Sequence, residues 1–261
     1  MKKFLGVLAD HSSTILGTVA VLVIASLFIG MVTTMINGNA NKVRFEDYDL
    51  YSIIAPSEAN GNIGDHVKGS ADAPVLVFEY ADYQCPGCAS MNTKVNKAIE
   101  ALGGKLAVVY RSFLLSYHQN GTAAASAAEA AGLQGYWKQY ADALFSYQSE
   151  WEYLSASERT NYFKEYFIEV TNGKGNVEKF LSDMASNEVS KKISFDMGLG
   201  RRIDVSGTPA FYVDGQLISW GGAGSLTING EVISWDSSRG SESDFVQLMT
   251  DIVNAKLKNS K

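Results

Sequence analysis

The run Pro74-Val75-Leu76-Val77-Phe78-Glu79-Tyr80 leads, four residues later, into Cys85-Pro86-Gly87-Cys88. A short apolar stretch introduced by proline reads as a buried central strand. A helical pattern follows from Pro86 to about Leu102 and closes at Gly103-Gly104. Leu106–Phe113, with Val108, Val109 and Tyr110, is strand-like again. Strand, helix, strand makes a βαβ unit, expected to be right-handed and to pair its strands in parallel.

The cysteine pair sits where the strand ends and the helix begins. Free N–H groups at a helix N-terminus stabilise an anion, so a thiol there turns acidic and its thiolate is the nucleophile. Pro86 falls at the first helical position, where a missing N–H costs nothing. Cys88 lies one turn on and can reach Cys85 across the same face. Cys85 is expected to be exposed and to attack or be attacked; Cys88 is expected to be covered and to resolve the mixed disulfide. These are the chain's only cysteines. Their disulfide would close a ring too small to remove much chain entropy, which favours chemistry over stabilisation. A static bridge and half of a zinc site are the competing readings. Zinc takes about four ligands, and His11, His66 and His118 form no ligand pair with a second Cys motif. No metal and no cofactor is expected.

Outward from this unit the pattern changes twice. Residues 116–203 read as a helical insertion. Asn120 could cap an Ala-rich helix over Thr122–Ala131, Tyr136–Gln148 is amphipathic, and Ser155 with Glu158 makes a capping box. Two further helices are expected over Val177–Ser186 and Val189–Arg201. Sheet then returns with Ala210–Val213, a two-residue turn at Asp214-Gly215 and a return strand over Gln216–Trp220. A second hairpin is expected around Asn229-Gly230, in a local duplicate of the first. Ser241–Lys258 carries Phe245, Leu248, Met249, Ile252 and Leu257 on one face and reads as a helix packed on the sheet.

From Asp65 onward the chain resembles the DsbA-like thioredoxin-fold thiol–disulfide oxidoreductases, in their membrane-anchored or secreted bacterial branch. The residues that carry the resemblance are the entry strand Ala73–Tyr80 with its Cys pair, Tyr110-Arg111-Ser112-Phe113 with His118 and Tyr136-Trp137, and Val205-Ser206-Gly207-Thr208-Pro209-Ala210-Phe211. The resemblance implies an α/β thioredoxin fold with an inserted helical subdomain. It implies that Thr208-Pro209 is cis and faces the redox pair, although most X-Pro bonds are trans. Thr208, Pro209, Pro86 and Gly87 would then meet an extended substrate chain, with the Thr208 backbone adding to it as a strand. It also implies a functional acid at Glu79. A buried carboxyl there would have a raised pKa and could exchange a proton with Cys88; the alternative is a solvated strand end. Pro86-Gly87 departs from the family's strong oxidants, which carry a His between the cysteines, so Cys85 is expected to be acidic but less extreme. Arg111 and His118 read as surface or packing residues.

The N-terminal quarter adds location. No Asp, Glu, Lys or Arg occurs between Asp10 and Lys42, and Ile15–Ile36 is almost wholly apolar. About 20 such residues span a bilayer, which predicts one transmembrane helix over 15–36 after a short cytoplasmic stretch, 1–14. A buried core helix would lack the expected polar face. A cleavable signal peptide, with Gly38-Asn39-Ala40 as a cleavage site, remains an alternative, although its apolar region is usually shorter. Residues 37–64 read as a linker with some local structure around Phe45–Ile54, and 65–261 as the folded domain. The formal net charge of −6, without a dense basic patch, argues against nucleic acid as a partner.

Together these readings predict a single-pass cell-membrane protein with an extracytoplasmic domain that passes its Cys85–Cys88 disulfide to reduced or unfolded secreted proteins. The resemblance implies reoxidation by a membrane quinone-linked thiol oxidase. A reductase or isomerase, or a membrane-anchored peptide-binding module without catalysis, are the alternatives, because fold does not settle function.

Overall fold

The structure, a computed structural model, describes residues 43–218, 220–236 and 240–258. The predicted spans 1–14 and 15–36 lie outside the described residues, and among the described residues no helix is long and apolar enough to cross a membrane.

The elements follow the chain as strand β1 (His66–Gly69), strand β2 (Val75–Ala81), helix α1 (Pro86–Leu102) and strand β3 (Leu106–Ser112). The insertion holds α2 (Gly121–Gly132), α3 (Trp137–Ser146), the single turn α4 (Gln148–Trp151), α5 (Ala156–Val170), α6 (Val177–Asp183) and α7 (Asn187–Arg202). The chain ends with β4 (Ala210–Val213), β5 (Gln216–Ile218), β6 (Ala223–Ile228), β7 (Glu231–Asp236) and α8 (Glu242–Leu257). One sheet has the order β1-β3-β2-β4-β5, and β6 and β7 form a second, two-stranded sheet. β2 and β3 run parallel with Val75 opposite Leu106, as the βαβ reading requires, while β4 runs antiparallel to β2. β2 is therefore central and fully flanked, which accounts for its apolar character apart from Glu79.

Local chemistry explains the turns. Asp214 (φ 47°) with Gly215 (φ 77°), and Asn229 (φ 50°) with Gly230 (φ 81°), all take positive φ, the geometry that two-residue hairpins need. The two duplicated hairpins part company in the fold: the first extends the main sheet, and the second stands apart. Gln216 bridges them, its side-chain amide donating to Thr227 O at 2.8 Å and accepting from Thr227 N at 3.0 Å. Ser155 and Glu158 form the predicted capping box. Asn120 does not cap α2 with its side chain; its Nδ2 instead donates to the carbonyls of Trp151, Glu152 and Leu154.

Two apolar clusters hold the layers together. One packs α1 and α8 on the sheet through Val77, Val95, Phe211 and Phe245. The other fills the insertion, where the alanines of α2 let Tyr140, Trp151, Phe167 and Phe180 pack closely. Strand β1 was not legible in the sequence: it has four residues, and its inward-facing side chain is Lys68.

The boundary at Asp65 needs correction. The compact unit starts at Phe45, so most of the stretch read as a linker is part of the domain. Leu50, Ile54 and Ile63 are buried, and a Cβ on Gly198 would overlap the Phe45 ring. Arg111 is the anchor. It is wholly buried, not a surface residue. Its guanidinium donates to Leu50 O at 2.7 Å, to Ser52 O at 3.0 Å and to Asp65 Oδ2 at 2.7 Å. Asp65 also receives Lys192, which bonds Asp196 at 2.7 Å. Burial alone would raise the Asp65 pKa, but Lys192 and Arg111 outweigh it and hold the carboxylate low. Composition hid this because the segment is polar, and its order comes from distant partners.

A buried cation stripped of its counter-ion is costly, so Asp65→Ala is expected to lower stability by about 3–5 kcal/mol in urea denaturation. A loss below about 1 kcal/mol, the scale of a surface pair, would show that Asp65 is not needed to hold Arg111 in place.

Candidate active site

Strand β2 ends at Ala81, and a tight turn brings the chain to Cys85, the N-cap of α1, with Cys85 N donating to Asp82 O at 3.0 Å. Pro86 is at the first helical position. Both cysteines are unbridged. Cys88 is fully buried, as expected for a side chain inside the first turn of α1. Cys85 is 7% exposed, less than its position ahead of the helix suggested. The reason lies across the fold: the loop before β4 brings Thr208 against it, with Cys85 Sγ 3.3 Å from Thr208 O, to which the protonated thiol donates. Access remains from one side, because Pro86 and Gly87 are exposed and Thr208 and Pro209 are half-buried. The Thr208–Pro209 bond is cis. Pro209 abuts the cysteine turn closely, since a Cβ on Gly87 would lie 3.1 Å from Pro209 Cδ and 3.6 Å from Cys85 Sγ.

The two sulfurs are electrostatically unequal. A hydrogen bond from the Cys88 thiol, with help from the Cys88 and Gly87 amides, outweighs partial burial and lowers the Cys85 pKa to about 5. Burial, reinforced by the bond to Cys85 and by the Glu79 charge, pushes Cys88 well above the ordinary thiol value. At neutral pH the pair therefore holds one thiolate, on Cys85, and one thiol, on Cys88.

Glu79 is 3% exposed, on the central strand between Tyr110 of β3 and Phe211 of β4. Burial raises its pKa to about 7, against the pull of Lys68. The solvated-strand-end alternative does not hold for it. Lys68 was not singled out from the sequence. It is buried, bonds Asn92 of α1, and bonds Asp142 Oδ1 at 2.8 Å. Asp142 is held at about 2, its burial outweighed by the Lys68 charge and by hydrogen bonds from Lys68, Asn96 and Lys138. A lysine inside a four-residue strand shows no periodicity, and only the fold brings it to Glu79. His118 is a loop residue whose Nδ1 is 2.8 Å from the buried Asp82 carboxylate. His66 pairs with Glu129 at 2.7 Å.

Two outcomes test these electrostatics. The thiolate absorbance of the reduced protein is expected to titrate near pH 5 with the amplitude of one sulfur; a midpoint near the ordinary thiol value, about 8.5, would refute the assignment. Glu79 has a raised folded pKa, so the stability that its protonated form contributes is intact below the ordinary carboxyl range and lost as pH rises through about 7. Glu79→Gln removes that loss. Its stability relative to the parent is expected to grow by about 3 kcal/mol between pH 4.5 and 8, and parallel pH–stability curves would show an ordinary carboxyl.

A family model described as thioredoxin matches residues 61–223, more than half of the chain. The fold is shared with BdbD from Bacillus subtilis in its oxidised form, at TM-score 0.57 and 18% identity, over 80% of this chain and 99% of that one. Wolbachia pipientis alpha-DsbA1 gives 0.55 at 20% identity, covering 76% and 94%. A thioredoxin-like oxidoreductase from Silicibacter pomeroyi gives 0.52 at 24% identity, covering 76% and 99%. Among curated proteins, Na(+)/H(+) antiporter NhaA 1 of Mycolicibacterium vanbaalenii is 31% identical over 154 residues, 58% of this chain but 23% of the antiporter. The chain thus spans about a quarter of the antiporters it matches, and ion transport does not carry over from so small a share. The chain belongs to the thioredoxin family, with the fold of the DsbA-like thiol–disulfide oxidoreductases.

Proposed function

We propose that the protein is a thiol–disulfide oxidoreductase that acts as a dithiol oxidase on secreted proteins, outside a membrane to which residues 15–36 tether it. The observation that carries the reading is the inequality of the two sulfurs: an acidic Cys85 against a buried, strongly basic Cys88. A thiolate of low pKa is a good leaving group and a stabilised reduced product, and both favour giving a disulfide away. The apolar run 15–36 supports the membrane location, and the resemblance to the DsbA-like oxidoreductases supports an external reoxidant.

A substrate thiolate attacks Cys85 Sγ of the Cys85–Cys88 disulfide. A mixed disulfide forms, and Cys88 leaves as a thiolate that takes a proton from Glu79. A second substrate thiolate attacks the substrate sulfur of the mixed disulfide, and Cys85 leaves as the stabilised thiolate. The substrate loses two electrons, the pair gains them, and a membrane quinone-linked thiol oxidase removes them again. Thr208 and Pro209 line the approach, with Pro86 and Gly87 forming its open side. An extended chain is the natural occupant of an opening that runs beside a strand entry.

The test is the reduction potential of the full chain, purified in mild detergent and equilibrated with glutathione, with the pair read by thiol alkylation and mass. A midpoint between about −120 and −180 mV is expected. A value near −270 mV would make the protein a reductase. A pair that never exchanges would leave the peptide-binding reading.

A further inference from the structure

The redox turn hangs on side chains of the helical insertion, in a layer of amides that the exchange chemistry above does not use. Gln148, the first residue of α4, is buried. Its Nε2 donates to Tyr83 O at 2.6 Å and to Cys85 O at 3.1 Å. One nitrogen thereby spends both of its hydrogens on the two carbonyls that flank Gln84. Gln84 is held in the same way, donating to Glu152 O at 2.6 Å and accepting from Asn120 N at 2.6 Å. Gln148 itself cannot drift, because Trp151 at the other end of its turn is wholly buried and donates to Leu144 O at 2.9 Å.

Cys85 O is the critical acceptor. It also takes the Ala89 N–H at 3.1 Å, the first bond of α1. A carbonyl has two lone pairs, and Gln148 fills the second. The Cys85 backbone, at ψ 120°, is thus held from the helix on one side and from the insertion on the other. That orientation keeps Cys85 Sγ in reach of the Gly87 and Cys88 amides. The thiolate depends on those donors, since hydrogen bonds to an ion are about twice as strong as those to a neutral acceptor. A disulfide sulfur is neutral and gains little from them. Loosening the clamp therefore falls mainly on the reduced form.

We propose that Gln148 is a positioning residue of the redox pair, whose twin hydrogen bonds to Tyr83 and Cys85 stabilise the reduced form over the disulfide and so make the pair more oxidising. The proposal rests on the redox reading of Cys85 and Cys88. A Gln148 that merely packed the insertion would stabilise both redox forms equally and leave their equilibrium alone.

The experiment compares the full chain in detergent with Gln148→Met, which keeps length but has no donor, and Gln148→Asn, which keeps the amide one methylene short. The readouts are the equilibrium constant against glutathione and the thermal midpoint of each redox form. Gln148→Met is expected to shift the equilibrium at least about five-fold toward the disulfide, the scale of a lost hydrogen bond to a buried acceptor, with the reduced form losing more thermal stability than the oxidised. Gln148→Asn is expected to fall between the two and serves alone if Gln148→Met does not fold. An unchanged equilibrium with equal thermal losses would overturn the proposal while leaving the redox reading intact. A parent chain that does not exchange with glutathione would sink both.

Discussion

At Cys85 Sγ, the Gly87 and Cys88 amides and the Cys88 thiol converge on one atom, and that convergence depends on β2 passing almost directly into α1. Longer slack between strand and helix would leave the sulfur free to turn away from its donors. The turn has no slack because each of its residues is held: Asp82 by Leu115 N at 2.9 Å, Gln84 by Asn120 and Glu152, and Cys85 by Gln148. Electrostatic stabilisation of this kind is effective only when the donors are in place before the charge appears.

Buried charge is used in two distinct ways. Around Asp65, cations and carboxylates bond each other directly, and Arg111 adds the carbonyls of residues 50 and 52. That cluster is architectural, since it welds the segment before β1 onto the sheet. Around Glu79 the charges are left in tension. Lys68 bonds Asn92 and Asp142, and its charge only partly offsets the burial of the Glu79 carboxyl. A carboxyl poised near neutrality can hold or release a proton at little cost, which a tightly paired carboxylate such as Asp142 cannot.

Sequence reading reached much of this site and stopped at identifiable places. The βαβ unit was legible because Val75–Tyr80 and Leu106–Phe113 are mostly apolar runs with the length of strands, interrupted by Glu79 and by Arg111-Ser112. The hairpins were legible because Asp214-Gly215 and Asn229-Gly230 are dipeptides that tolerate positive φ. The docking of segment 45–64 onto the domain was not, because its partners Arg111 and Gly198 are remote in sequence. The exposure of Cys85 was misjudged for the same reason, since its cover, Thr208, comes from the far side of the insertion.

What the sequence alone determined was the local chemistry: a Cys pair at a strand-to-helix junction, a proline where a helix accepts one, and an acid six residues before the first sulfur. These follow from spacing along one continuous stretch, where covalent geometry and helix periodicity leave few options. Only the tertiary structure decided how acidic each sulfur is, whether Glu79 is buried, and which groups hold the turn. Those depend on Lys68, Gln148 and Thr208, brought together from a four-residue strand, a single helical turn and a loop. Desolvation and hydrogen bonding act through space, and no local pattern records which distant side chain supplies them.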